Sequence, residues 1–146
     1  DGKDVAANIF YYIVEYSSQT NKKTCDAVND SVDKFIDGLC LWYPEYIKAQ
    51  YRLESGNCKS MLAKNNNNLF GMMVPKRRMT TANKLEKETG YAKYDNWQLS
   101  VLDRVLWEIV FFDGKKPSLD EYKKSFSVFA EDEEYLKNLD SIIKTF

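Results

Sequence analysis

The chain has 146 residues, of which 44% are hydrophobic and 29% charged, as expected for one soluble globular domain. Its net charge of −1 argues against a dedicated nucleic-acid binder, which would carry a strong basic excess. No run of about 18 apolar residues occurs, so we expect no membrane span.

The first residues, Asp1 to Asp4, do not form the basic and apolar regions of a signal peptide, and no initiator methionine precedes them. An export signal would therefore have been removed before this point. The cellular compartment has to be inferred from function.

The cysteine and histidine content limits the kinds of catalytic and metal-binding site that the chain can form. The three cysteines, Cys25, Cys40 and Cys58, are an odd number without paired spacing, which favours buried or half-buried thiols over a disulfide framework. One bridge with a remaining thiol is the alternative. The absence of histidine excludes histidine-activated nucleophiles and most catalytic zinc sites. We therefore expect no metal or cofactor, and acid–base chemistry by carboxylates and tyrosines.

Helical periodicity and capping signals predict three helices in the first part of the chain. The first runs from Val5 to Ser18, and the second from a cap at Thr24 or Asp26 to Leu39. The third begins at Pro44, which suits a first helical turn, and ends at Glu54 or Ser55 before Gly56.

The second part begins with a short helical turn over 59–64 and an irregular stretch over 65–96 that includes a short hairpin. Helix returns over 97–112, and a capping box of Ser118 and Glu121 opens a helix to Phe129. Asp132 opens the last helix, which we expect to pair with its predecessor as an antiparallel hairpin. The predicted fold is all-α, in a single domain spanning 1–146.

The segment around Glu54 gives the clearest indication of a catalytic residue. This residue falls at the end of the third helix, on the face of Ile47 and Tyr51, which should point inward. Partial desolvation and the negative end of the helix dipole both raise the pKa of a carboxyl there. A carboxyl that stays protonated near neutral pH can act as a general acid towards a glycosidic oxygen.

Four ordered blocks in the chain resemble glycoside hydrolase family 73, the glucosaminidases of flagellar and autolysin peptidoglycan hydrolases. The family pattern runs roughly L-E-S-G-W-G-x-S-x-L-A, then N-N-L-F-G-I, and later Y-A-x-D-P-x-Y. The blocks that carry the resemblance are Leu53–Ala63, Asn67–Met72, Tyr91–Val101 and Phe129–Tyr135. The resemblance covers about 44–146 and leaves 1–43 as additional N-terminal helices beside or over the cleft.

The resemblance implies a lysozyme-like fold with Glu54 as the catalytic acid. It also matches Tyr135 to a tyrosine implicated in catalysis or substrate positioning, with anchoring of the last helix as the alternative. Asn68 and Phe70 match the block that lines the cleft, although Asn67–Asn68 also fits a plain polar turn. The aromatic rings of three further residues could stack on sugars, and the last of them equally suits the core: Tyr91, Tyr94 and Trp97.

Several positions depart from the family pattern. Asn57–Cys58 replaces the usual Trp-Gly, so a cleft aromatic or a turn glycine is missing. Thr80–Thr81 resembles the strand that carries a second catalytic glutamate in some relatives, but Ala82 follows here. Glu86 or Glu88 could supply that carboxylate, although both lie in a charged run typical of a solvated turn. Without it, the N-acetyl group of the substrate could stabilise the transition state.

The predicted function is hydrolysis of the β-1,4 bond after N-acetylglucosamine in peptidoglycan, by an enzyme acting as a monomer. A muramidase or lytic transglycosylase, or a non-catalytic wall-binding module, are the alternatives. The basic run at 76–78 could meet anionic wall polymer or form ordinary surface. This function implies a protein that acts outside the cytoplasm (in the periplasm, in the cell wall or after secretion) or a phage-encoded lysin.

Overall fold

The computed structural model describes residues 2–19, 26–85 and 89–146. The described elements are α1 (Gly2–Ser17), α2 (Asn29–Gly38), α3 (Pro44–Ser55), α4 (Met61–Asn66), β1 (Lys84–Leu85), β2 (Ala92–Lys93), α5 (Trp97–Phe111), α6 (Leu119–Ser125), a 3₁₀ turn (Phe126–Val128) and α7 (Glu133–Ile143). The predicted fold class, mainly α with a short hairpin, is confirmed.

Local signals determine several helix ends as predicted. Pro44 is in the first turn of α3, and Gly56 follows its last residue in the left-handed region at a φ of 56°. The Ser118 side chain accepts from the Glu121 backbone N–H, and Glu121 reaches back, which completes the capping box of α6. Asp132 caps α7 by accepting from the backbone N–H of Glu134.

The second helix begins later than predicted. Asn29 is the first residue of α2, and Val28 precedes it in extended conformation without a side-chain cap. Asp26 therefore does not cap this helix, and Thr24 lies outside the described residues. Ala27 reaches the core from the extended segment, so its burial requires no helix there.

The antiparallel hairpin predicted for the last two helices is also not the main contact that the final helix makes. The helix that opens at Ser118 tightens into the 3₁₀ turn after Ser125, and α7 packs chiefly against α3. A cluster of aromatic and aliphatic side chains joins α3, α6 and α7: Tyr46, Ala49, Tyr122, Phe126 and Leu139. This packing brings the start of α7 to the C-terminal half of α3.

Helix α5 lies at the centre of the larger hydrophobic cluster, with Val101, Leu102 and Val105 all buried. Helix α1 packs along α5, and α2 packs against α3 and α5. Aromatic side chains join these N-terminal helices to the start of α5: Tyr12, Tyr16, Phe35 and Trp97. The two N-terminal helices thus share one core with the rest of the fold.

The irregular middle contains a minimal strand pair. β1 and β2 pair antiparallel, with Lys84 opposite Lys93 and Leu85 opposite Ala92. Met73 forms a further bridge to Tyr91. Among the described residues, no helix has the length and apolar character needed to cross a membrane.

Candidate active site

The candidate acid lies in the last turn of α3. Glu54 is the penultimate residue of α3, and Ser55 after it is buried. The Ser55 hydroxyl donates to the carbonyl of Tyr51 and accepts from the backbone N–H of Cys58 at 2.9 Å. Gly56, Asn57 and Cys58 then follow with φ values of 56°, 58° and 68°. The Glu-Ser-Gly sequence therefore ends the helix sharply just beyond the acid.

Cys58 illustrates one departure from the family pattern. The left-handed region costs a residue with a side chain about 1 kcal/mol relative to glycine. Cys58 adopts that conformation where the family pattern has glycine, and its side chain is nevertheless buried. Cys40 also has a positive φ but is exposed, unlike the buried thiol that we predicted, while Cys25 lies outside the described residues.

Glu54 is exposed as a residue, but its carboxyl end is close to protein on two sides. Its Oε2 atom would lie 3.3 Å from a Cβ on Gly71, whose φ is 67°. Burial raises the pKa of the Glu54 carboxyl, and the nearby Tyr135 hydroxyl lowers it. The raised pKa agrees with the expectation from sequence. The carboxyl thus contacts protein while the residue stays open to a large substrate.

A loop built on asparagines holds Gly71 beside the acid. The Asn68 side chain donates to the carbonyls of Met72 and Ala92 and accepts from the backbone N–H of Met72 at 3.1 Å. Asn67 likewise donates to the carbonyl of Tyr94 at 3.0 Å. Both N–H donors of the Asn68 amide and one lone pair of its oxygen are therefore used within the fold.

Tyr135 approaches Glu54 from the first turn of α7. Its hydroxyl accepts a hydrogen bond from the Gln50 side-chain amide at 3.0 Å. Burial and the neighbouring Glu54 carboxylate raise the pKa of Tyr135, so the phenol remains protonated at neutral pH. The ring also lines a cavity of about 310 Å³ beside Phe126 and Leu136. Tyr135 thus joins the candidate acid to both the protein interior and an open cavity.

A buried polar network lies behind Tyr135. Arg104 donates through Nε to Gln50 Oε1 at 2.7 Å and through Nη1 to Glu108 Oε1 at 2.9 Å. The Tyr122 hydroxyl donates to Glu108 Oε1 at 2.6 Å. All four side chains are 0% exposed. The guanidinium also lies over three aromatic rings, those of Trp107, Phe126 and Phe129.

Sequence reasoning missed this network. Gln50 precedes Glu54 by one helical turn on the same face of α3. Arg104 and Glu108 are spaced i, i+4 within the apolar stripe of α5. Oppositely charged residues at that spacing on an otherwise apolar face were the available signal for a buried pair.

A second buried charge, Asp103, binds the loop that precedes β1. Its Oδ1 accepts from Arg78 at 2.7 Å and from the Thr80 hydroxyl at 2.8 Å, and its Oδ2 accepts from the Tyr94 hydroxyl at 2.5 Å. The Arg78 side chain is only 10% exposed in this ion pair. The run at 76–78 is therefore not uniformly a free basic surface, because its third residue is used inside the fold.

Most side chains expected to bind substrate are buried. Phe70 packs near Tyr51, Trp97 packs on Phe35, and Tyr94 bonds to Asp103. The exposed fractions of Asn68, Phe70, Tyr94 and Trp97 are 1%, 1%, 4% and 5%. These four side chains therefore present little surface to solvent. Of the predicted set, Tyr91 is half-buried and remains accessible.

The second acid and a metal site were further questions raised by the sequence. Glu86 and Glu88 lie outside the described residues. Within residues 2–19, 26–85 and 89–146, no group of three or more His, Cys, Asp or Glu side chains could hold a metal ion.

Comparison with known families identifies the family of the chain. A carboxylic acid at an exposed helix end, backed by a tyrosine, suits a glycoside hydrolase. A profile of the Glucosaminidase family, described as mannosyl-glycoprotein endo-beta-N-acetylglucosaminidase, matches residues 41–146. The chain belongs to this family, which confirms the resemblance found in its motifs. No curated protein and no solved structure matches the chain.

Proposed function

We propose that this chain hydrolyses the β-1,4 bond after N-acetylglucosamine in the glycan strands of peptidoglycan, with Glu54 as the general acid. The observation that carries the proposal is the position of Glu54. It stands at an exposed helix end, while its carboxyl meets Gly71 and Tyr135. The family match supports a glycoside hydrolase acting next to N-acetylglucosamine.

In the proposed reaction, protonated Glu54 donates its proton to the glycosidic oxygen as the bond to the anomeric carbon breaks. A water molecule adds to that carbon and releases one proton to solvent, and Glu54 regains a proton from solvent before the next turnover, so the products are two shortened strands. Burial, which raises the pKa of Glu54, keeps more of the acid protonated near neutral pH. Tyr135 contacts the acid and is the second residue that we place in the catalytic site.

The proposed path of the glycan strand passes the accessible side of this pair. The cavity of about 310 Å³ beside Tyr135 lies between the 3₁₀ turn and the start of α7 and is not lined by Glu54, so we place the scissile bond outside it, on the exposed side of the acid. We assign the buried Asn68 and Phe70 to the support of the loop at Gly71, and Tyr91 to the accessible rim. Because the substrate is a wall polymer, we place the protein outside the cytoplasmic membrane or in a phage lysin.

The test is an analysis of the ends formed when the purified protein digests purified peptidoglycan. New reducing N-acetylglucosamine is the expected product. Reducing N-acetylmuramic acid would instead indicate a muramidase, an anhydro end a lytic transglycosylase, and no new end a non-catalytic module. A high-mannose glycoprotein serves as the second substrate, and cleavage of that substrate alone would contradict the assignment to peptidoglycan.

A further inference from the structure

We propose that Gln50 and Arg104 are positioning residues that orient the Tyr135 hydroxyl so that it donates its hydrogen to Glu54. This inference rests on the proposed function, because it concerns how the same acid is held. It assigns a catalytic consequence to two fully buried side chains that contact neither solvent nor substrate.

The direction of each hydrogen bond follows from the guanidinium. Arginine has five N–H donors and no acceptor, so the Gln50 atom 2.7 Å from Arg104 Nε must be the amide oxygen. The Gln50 amide nitrogen is thereby directed at the Tyr135 hydroxyl, 3.0 Å away. Since an amide NH₂ only donates, the Tyr135 oxygen accepts this bond and its own hydrogen is left for another partner.

Glu54 lies one helical turn after Gln50 on α3 and is the acceptor in the proposed bond. Among the described residues, the electrostatic partners of Tyr135 include the Glu54 carboxylate, which raises its pKa, and the Arg104 guanidinium, which lowers it. The resulting order of donors is Arg104, Gln50, Tyr135, Glu54. In this order, the hydrogen bond that each residue accepts from the one before it determines which of its groups donates to the next residue.

This order matters for a general acid. When Tyr135 donates to one carboxyl oxygen of Glu54, the acidic proton of Glu54 is directed to the other oxygen, where a glycosidic oxygen can take it. After proton transfer, the same bond stabilises the Glu54 carboxylate. Bonds to the charged form favour ionisation, in agreement with the lowering of the Glu54 pKa by Tyr135.

The contacts that fix Arg104 also prevent the Gln50 side-chain amide from flipping by about 180°. Arg104 is held at Nη1 by Glu108 and between the rings of Trp107 and Phe126. Glu108 is held in turn by the Tyr122 hydroxyl. A flipped Gln50 would place its NH₂ against a guanidinium, which leaves two buried donors facing each other.

The test compares pH profiles of kcat for wild type, Gln50→Met, Tyr135→Phe and the double variant, all acting on peptidoglycan. The acid works only while protonated, so kcat falls as pH rises through the pKa of Glu54 in the bound complex. Loss of the donated hydrogen raises that pKa. We expect both single variants to move the alkaline limb up by about one pH unit and to lower maximal kcat about 10- to 1,000-fold.

The double variant separates orientation from general support of the fold. Once the Tyr135 hydroxyl is absent, Gln50→Met should move the alkaline limb no further. Tyr46→Phe is the matched control, because it removes another hydroxyl between α3 and α7, the one that donates to Asp140, and leaves Glu54 untouched. It should keep the wild-type kcat and alkaline limb.

If Gln50→Met does not fold, Gln50→Glu retains an acceptor for Arg104 but draws the Tyr135 hydrogen to itself, so the limb should again move upward. Unchanged limbs in Gln50→Met and Tyr135→Phe, or independent shifts in the double variant, would overturn the proposal. Those results leave the proposed function intact if wild type cleaves and Glu54→Gln does not. Inactivity of the wild type would instead refute the proposed function itself.

Discussion

Asp103 and Arg104 are neighbours on α5, and both are fully buried charges, yet they face different parts of the molecule. Asp103 accepts from Arg78, Thr80 and Tyr94, all in the irregular middle of the chain. Arg104 bonds to Gln50 of α3 and to Glu108 one turn further along α5. Helix α5 thus carries two polar clusters, one around each of these two adjacent residues.

The difference lies in where each cluster ends. The three side chains that donate to Asp103 all lie in the irregular middle of the chain, so this cluster ties that segment to α5. The Arg104 cluster continues through Gln50 and Tyr135 to an exposed acid. A buried charge whose partners all lie within the fold stabilises the structure. A buried charge whose hydrogen bonds continue to an exposed side chain can also orient a reacting group. The variants below test that distinction.

The largest effect on stability should come from Arg104→Met. Removing the guanidinium leaves Glu108 buried without its cation, which costs about 3–5 kcal/mol of unfolding free energy. Denaturant unfolding of Arg104→Met and of Arg104→Met with Glu108→Leu measures this. The double variant should recover much of the stability while activity stays low. A loss below about 1 kcal/mol in the single variant would mean that the pair is not buried as described.

Asp103→Asn should destabilise the protein by about 1–3 kcal/mol, because Arg78 then loses its charged partner in a site that is almost closed to solvent. The alkaline limb of kcat should not move, because the side chains bonded to Asp103 are Arg78, Thr80 and Tyr94, and neither Gln50 nor Tyr135 is among them. Denaturant unfolding and a pH profile on one preparation check both parts. A limb that shifts as in Tyr135→Phe would erase the distinction between the two clusters.

Tyr135→Phe should separate catalysis from stability. Its loss of one hydroxyl removes the bond from Gln50, which costs about 0.5–1.5 kcal/mol. The rate should fall by about one to three decades, roughly 1.4 kcal/mol of barrier for each decade. Rate and Tm measured on the same sample decide the matter. An unchanged rate would return Tyr135 to the role of helix anchor.

The smallest effect concerns the stability of Glu54→Gln as a function of pH. Burial places the pKa of Glu54 above its value in the unfolded chain, so the folded state holds the proton more tightly. The free energy of unfolding contributed by this group therefore falls as pH rises from about 4.3 through the folded-state pKa. The Tm of Glu54→Gln should equal or exceed wild type at pH 7, and any advantage should vanish below pH 4. A lower Tm at pH 7 would contradict the raised pKa.

The sequence allowed accurate prediction where structure depends on near neighbours. The end of α3 at Gly56, the capping box at Ser118 and the cap at Asp132 each involve residues a few positions apart. The position of Glu54 at the end of a helix was predicted for the same reason, while its role as the acid stays a prediction. Its family motif added Tyr135, whose place beside Glu54 no local pattern reveals.

Side-chain partners distant in sequence could not be predicted. Gln50 meets Arg104 across 54 positions, and Tyr94 is buried because its hydroxyl reaches Asp103. An aromatic or amide side chain in a polar stretch looks accessible until its partner is known. Asn68 was expected to line the cleft because it matches a family block, and the motif did not reveal that its amide NH₂ donates to the carbonyls of Met72 and Ala92.

Hydrolysis of purified peptidoglycan by Glu54→Gln tests the central claim most directly. Glutamine keeps the shape of the side chain and cannot supply an acidic proton. We expect turnover to fall at least about 10²- to 10⁴-fold, with a wild-type Tm at pH 7 or a higher one. Near-normal release of reducing N-acetylglucosamine by a folded Glu54→Gln protein would show that Glu54 is not the acid.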